Sequence, residues 1–151
     1  MGELTVERAT EADIADLAAL RAEWTAEQHG GAADDVEFEA AFGHWVDAEQ
    51  HRAFFIARLD GAAIGMVNLL RIDRMPAPGR DPGSWGYLNN MFVRREHRDA
   101  GVGAAMLRAL LDHARTLELR HVILNPSERA TGLYRRHGFR GDTALMAWSA
   151  S

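Results

Sequence analysis

The chain has 151 residues, 47% hydrophobic and 26% charged, with a net charge of −5. That suffices for one domain with a packed core, and the acidic balance argues against a duplex-binding surface. There is no cysteine, which excludes disulfides, thiolate metal sites and cysteine nucleophiles, and all 17 basic residues are arginine, which excludes a lysine-dependent phosphate loop and lysine Schiff-base chemistry.

In chain order, residues 4–8 alternate and predict a strand. Thr10 and Asp13 are spaced like a capping box, and Ile14, Leu17, Leu20, Arg21 and Trp24 then follow helical spacing to about Glu27. His29-Gly30-Gly31 ends that run. Asp34 or Asp35 starts a second helix carrying Phe38, Phe42, Trp45 and Val46. From residue 53 the period changes to that of strands. Residues 54–59 and 63–72 form a hairpin about Asp60-Gly61. A Pro/Gly-rich loop leads to a strand at 85–93, a helix at 101–117, a short strand at 121–124, a helix at 130–137 closed by Gly138, and a last strand at 143–148. The order β-α-α-β-β-β-α-β-α-β implies a mixed α/β (α+β) domain with one central βαβ unit.

The segment with most chemistry is Arg98-Asp99-Ala100-Gly101-Val102-Gly103. It lies between a strand and a helix N-terminus. Glycines allow close backbone approach, and the helix end adds partial positive charge, so the loop is suited to a phosphate or pyrophosphate. A dinucleotide fingerprint fits poorly, because its third glycine falls at Met106 and the nearby strand ends in Asn125 rather than an acid. The run Arg94-Arg95-Glu96-His97-Arg98 is too short for a nucleic-acid face. None of the seven histidines forms a His-Glu-x-x-His pair, so no metal is expected. With no apolar run near 20 residues and no basic-then-apolar leader at Met1-Gly2-Glu3-Leu4, the expectation is a cytoplasmic protein with no membrane partner; a homodimer is an option left open.

Residues 98–103 match the Arg/Gln-x-x-Gly-x-Gly/Ala motif of the GCN5-related N-acetyltransferases (the GNAT superfamily), and Leu133-Tyr134-Arg135-Arg136-His137-Gly138-Phe139 resembles its Leu-Tyr-x-x-x-Gly-Phe signature. Asn90 to Arg98 and Asn125-Pro126-Ser127 resemble the segments that precede and separate these motifs. The resemblance is specific over residues 87–139. It implies one GNAT domain over residues 1–151, with a mixed, mostly antiparallel sheet flanked by helices and splayed at an acetyl-CoA site. It further implies an acetyl-CoA-dependent N-acetyltransferase without a metal.

By the same resemblance, Arg98, Asp99, Ala100, Gly101, Val102, Gly103 and Ala104 would hold the pyrophosphate. Met91, Phe92 and Val93 would pair with the pantetheine, assisted by Asn125 and Ser127, and an N–H near Phe92 would polarise the thioester. Tyr134 would protonate the leaving thiolate. Many relatives carry a Glu on the strand before the loop. Here the stretch is Leu88-Asn89-Asn90-Met91, so a water oriented by Asn89 or by Asn90, the residue assigned to catalysis, is expected to pass the proton outward, with Asp35, Glu37 or Glu39 as acceptors.

Residues 1–60 hold 14 acidic residues and 4 arginines, while residues 61–151 hold 8 and 13. The acidic half, through Glu23, Glu27, Asp34, Asp35, Glu37, Glu39, Asp47 and Glu49, predicts a small cationic amine as acceptor. The alternatives are acetylation of a protein or peptide, and a non-catalytic acyl-CoA-binding regulatory module.

Overall fold

The structure is a computed structural model, and it describes residues 2–32, 34–141 and 146–150. Among the described residues five strands form one sheet in sequence order: β1 (Leu4–Arg8), β2 (Arg52–Leu59), β3 (Ala62–Asp73), β4 (Ser84–Val93) and β5 (His121–Ile123). The first three pairings are antiparallel. β4 and β5 run parallel because α3 (Val102–Thr116) crosses between them as the central βαβ unit. The remaining helices are α1 (Ile14–His29), α2 (Phe38–Ala48) and α4 (Thr131–Arg136).

The Thr10–Asp13 capping box is present. Ala12 N–H donates to Thr10 Oγ1 at 3.3 Å, and Thr10 N–H donates to Asp13 Oδ2 at 2.9 Å. Its turn is 3-10 (Glu11–Asp13) and runs into α1. Arg58 on β2 grips Asp13 at 2.7 Å and Asp16 at 2.9 Å, fastening the start of α1 to the sheet. Asp60 (φ 49°) and Gly61 (φ 85°) turn β2 into β3, the two positive φ values that a tight two-residue hairpin needs.

Side-chain alternation along β2 sends Phe55 to one face and Ile56 to the other. On Phe55's face, Val67, Leu69, Leu88, Met106, Leu107, Leu110 and Tyr134 form the larger core under α3 and α4. On the opposite face, Leu17 and Leu20 of α1 pack with Ile56, Met66 and Phe92. α2 starts at Phe38, three or four residues later than expected, because Asp35 instead accepts the Glu37 N–H at 3.1 Å and makes a turn. Of the predicted last strand, residues 143–145 lie outside the described residues, and residues 146–148 have no regular secondary structure. Met146 and Trp148 are exposed, so no buried face sets a strand register there.

Candidate active site

The β4–β5 ladder runs only from Trp85↔His121 to Tyr87↔Ile123. Beyond it, β4 continues to Val93 along β3 alone, leaving the expected open edge. Opposite Val67, β4 carries two residues, Asn90 and Met91, in a bulge. Asn90 takes the left-handed conformation (φ 57°), which asparagine tolerates better than most residues. The extra residue changes the side-chain phase, so Leu88 packs under α3 while Phe92 packs against α1. The bulge also brings Asn90 beside Asn68.

α3 begins where the sequence places the anion loop. Asp99 (φ 60°) and Gly101 (φ 87°) are left-handed. No Cβ clash meets Gly101, so its glycine is needed for φ alone, whereas a Cβ on Gly103 would sit 3.2 Å from Leu133 Cδ2. The first loop-to-helix backbone bond is Ala105 N–H to Gly101 C=O, at 3.0 Å. Among the described residues the N–H groups of Asp99, Ala100, Gly101, Val102, Gly103 and Ala104 have no backbone acceptor, as the first turn of a helix requires. They form a donor cluster at the positive end of a 15-residue helix.

Arg98, just before this loop, bonds within the protein. Its N–H donates to Arg95 C=O at 3.3 Å, and its guanidinium grips Glu27 at 2.7 Å. The Val93–Arg94 peptide is trans and sends the Arg94 N–H to Ile64 C=O, so the Val93 carbonyl faces the open edge. Arg98 Nε donates to that carbonyl at 2.8 Å. Arg98 therefore ties α1 to the end of β4 through its Nε and Nη2.

Tyr134 on α4 is buried and meets Phe139 edge-on, with ring centroids 5.6 Å apart. Its hydroxyl makes no hydrogen bond among the described residues yet is not among the fully enclosed unpartnered atoms, so it reaches open space. Burial pushes its pKa up, which keeps the proton on the phenol. Asn125 is exposed, with its Nδ2 3.4 Å from the Tyr87 hydroxyl. Ser127 caps the turn before α4, its hydroxyl accepting the Ala130 N–H at 3.3 Å.

A cavity of about 340 Å³ lies between α1, α2 and the sheet, within the range of small-molecule sites. Phe38, Phe42, Trp45 and Phe54 form aromatic walls, and Arg21, Asn68 and Asn90 contribute polar groups. Phe42 meets Trp45 at a tilt, and Trp45 meets Phe54 edge-on. Asn68, 3% exposed, is the one buried polar residue of the core among the described residues. Its Oδ1 accepts from Arg52 Nη1 at 2.8 Å and its Nδ2 donates to Asn90 Oδ1 at 2.9 Å.

The acetyltransferase (GNAT) family model matches residues 17–139. The chain belongs to this family. It is an acetyltransferase with the family's open sheet. No curated protein matches it by sequence. Among solved structures, it resembles a predicted acetyltransferase from Clostridium acetobutylicum solved with acetyl-CoA (TM-score 0.77, 19% identity, covering 97% of this chain and 96% of that one). It also resembles a ribosomal-protein-alanine N-acetyltransferase from Brucella melitensis biovar Abortus 2308 (TM-score 0.76, 19% identity, 99% and 100%). An aminoglycoside N-acetyltransferase solved with CoA matches as well (TM-score 0.74, 19% identity, 99% and 96%).

In this acetyltransferase the acidic side chains of α1 and α2 stay outside the cavity. Glu23 pairs with Arg94 at 2.9 Å, Glu27 with Arg98, and Glu49 lies 3.4 Å from Arg52. Asp34, Asp35, Glu37, Glu39 and Asp47 are exposed, and none lines the cavity. The sequence reading missed Asn68 and Arg52. An asparagine inside the apolar run of β3 was the available signal, since a buried amide needs partners. No group of three or more His, Asp or Glu side chains suits a metal among the described residues, and no described helix is long and apolar enough to cross a membrane.

Proposed function

We propose that this chain transfers an acetyl group from acetyl-CoA to the primary amine of a small molecule, the amine reacting once it has shed its proton. The observation that carries the reading is the juxtaposition of an unpaired β4 edge, the unpaired N–H groups at the start of α3, and Tyr134 between α4 and the sheet. Acetyl-CoA supplies an activated thioester.

The N–H groups of Asp99, Ala100, Gly101, Val102, Gly103 and Ala104 hold the pyrophosphate through the helix-end field. The edge groups of Met91 and Phe92 and the Val93 N–H align the pantetheine, as one strand aligns another, and Asn125 and Ser127 lie on the facing segment to take its amides. A backbone N–H near Phe92 stabilises the carbonyl oxygen as negative charge grows on it. Asn90, positioned by Asn68, holds a water that takes the amine's proton outward. Tyr134, kept protonated by burial, donates its proton to the departing thiolate, whose conjugate acid has a pKa of about 8.5. The cavity of about 340 Å³ beside Asn90 has room for a small acceptor.

The test combines thermal shift with thiol release across a panel of amines. Acetyl-CoA at about 100 times its Kd should stabilise the protein by about 2.7 kcal/mol, and at least one small amine should release thiol. Stabilisation without thiol release from any amine would instead indicate an acyl-CoA-binding module.

A further inference from the structure

The cavity's polar groups have a definite polarity, and Arg52 sets it. Arginine has five N–H donors and no acceptor. Its 2.8 Å contact with Asn68 must therefore reach the Asn68 carbonyl oxygen, which turns the Asn68 amide nitrogen toward Asn90. That nitrogen donates to Asn90 Oδ1, leaving both Asn90 Nδ2 protons for the cavity. The Arg52 guanidinium is itself held over the Trp45 ring, 5.1 Å from its centroid, and beside Glu49. The relay Arg52–Asn68–Asn90 thus ends in donors.

The other polar group in the cavity is also donor-only. Arg21 stacks over Trp24 at 4.7 Å and has no carboxylate within ion-pair distance among the described residues. Among the described residues eight of the 17 arginines face a carboxylate, Arg52 beside this cavity among them. Arg21 lines the cavity without such a partner. A planar guanidinium beside aromatic walls favours a planar carboxylate, which it meets with two parallel N–H bonds.

Resting on the acetyl-transfer reading above, we propose that the acceptor is an amino acid with an aromatic or branched apolar side chain. Its carboxylate meets Arg21, its side chain lies among Phe38, Phe42, Trp45 and Phe54, and its amine approaches Asn90. Arg52 is a positioning residue that holds the relay in its donor-outward sense. The carboxylates of α1 and α2 outside the cavity contribute only a diffuse field at its surroundings.

Calorimetric titration of the intact protein tests this, with and without saturating CoA. The probes are L-phenylalanine, phenethylamine (the same body without the carboxylate), phosphoethanolamine and spermidine. Phenylalanine should bind at least about tenfold more tightly than each of the others, the scale of one charge-assisted hydrogen-bond pair. Arg21→Gln should remove that advantage, leaving phenethylamine and acetyl-CoA affinities unchanged and the Tm within error. Arg21→Lys should restore part of it. The proposal is overturned if phenethylamine, phosphoethanolamine or spermidine binds as well as phenylalanine, if phenylalanine does not saturate, or if Arg21→Gln weakens phenylalanine and phenethylamine equally. Acetyl-CoA titrated alone reports separately on the donor reading, so its failure is distinguishable from failure of the acceptor assignment.

Discussion

Replacing Tyr134 by Phe removes one hydroxyl from a buried ring. That hydroxyl makes no hydrogen bond among the described residues, while the ring's edge-on contact with Phe139 stays intact. With no internal bond lost, the stability change should be within about 0.5 kcal/mol, or a Tm shift of about 2 °C or less for a chain of this size. The effect on the chemical step should be much larger. A positioned general acid contributes about 10²–10⁴-fold, or roughly 3–5 kcal/mol of barrier. Single-turnover thiol release at saturating acetyl-CoA and amine isolates that step, and acetyl-CoA affinity should not move. Burial raises the Tyr134 pKa above the ordinary phenol value, so the acid form persists as pH rises. The wild-type rate at saturating neutral amine should therefore stay flat through pH 9. A single-turnover rate unchanged within about threefold would remove Tyr134 from the mechanism. A rate loss accompanied by a matching fall in Tm would show it to be a packing residue.

Reversing Glu37 and Glu39 to Lys should leave the acceptor KM within about twofold at physiological salt, because both are exposed and outside the cavity; a tenfold rise would restore the acidic helices as acceptor contacts. Arg98→Leu should destabilise by about 1–3 kcal/mol, since Glu27 and the Val93 carbonyl lose their partner. Thermal melts at about 2–4 °C per kcal/mol read this directly. Asp13→Asn should cost about 1–2 kcal/mol at pH 7 by weakening the capping box and the Arg58 pair. The Thr10 N–H bond, and secondly Arg58, hold the Asp13 pKa below the usual carboxylate value against the opposing effect of burial. Its contribution is therefore present above that usual value and lost as pH falls through the lowered one. Urea titrations should accordingly show wild type and Asp13→Asn converging as pH falls below the usual carboxylate range.

The elements around the donor site were legible because their signals are local. Alternation marks β4, two glycines mark the loop, and apolar spacing marks α3. Its spacing puts Val102, Ala105, Met106, Ala109, Leu110 and Leu117 on the buried face; Val102, Met106 and Leu110 are buried, Ala105, Ala109 and Leu117 only partly so, and Leu107 and Ala114 are buried as well. Partner choice across the chain was not legible. Arg98 read as a phosphate ligand and Glu27 as an amine ligand, but they lie 71 positions apart in sequence and neutralise each other. Arg94 and Glu23 repeat the pattern. Charge asymmetry between the halves thus measured, in part, ion pairs that fasten α1 to the end of β4. The bulge at Asn90 escaped notice because no glycine marks it, and asparagine reaches the same backbone conformation unaided. The cavity beside Asn90 is assembled from α1, α2, β2, β3 and β4, so no single window of sequence contains it.

The central claim is that the open β4 edge and the start of α3 together seat acetyl-CoA. Amide hydrogen exchange with and without acetyl-CoA measures this at the groups concerned. The account predicts slowed exchange confined mainly to Met91, Phe92 and Val93 and to residues 99–104, whose N–H groups at the start of α3 have no backbone acceptor. Saturable acetyl-CoA binding with unchanged exchange in both segments, or with protection only elsewhere, would contradict it.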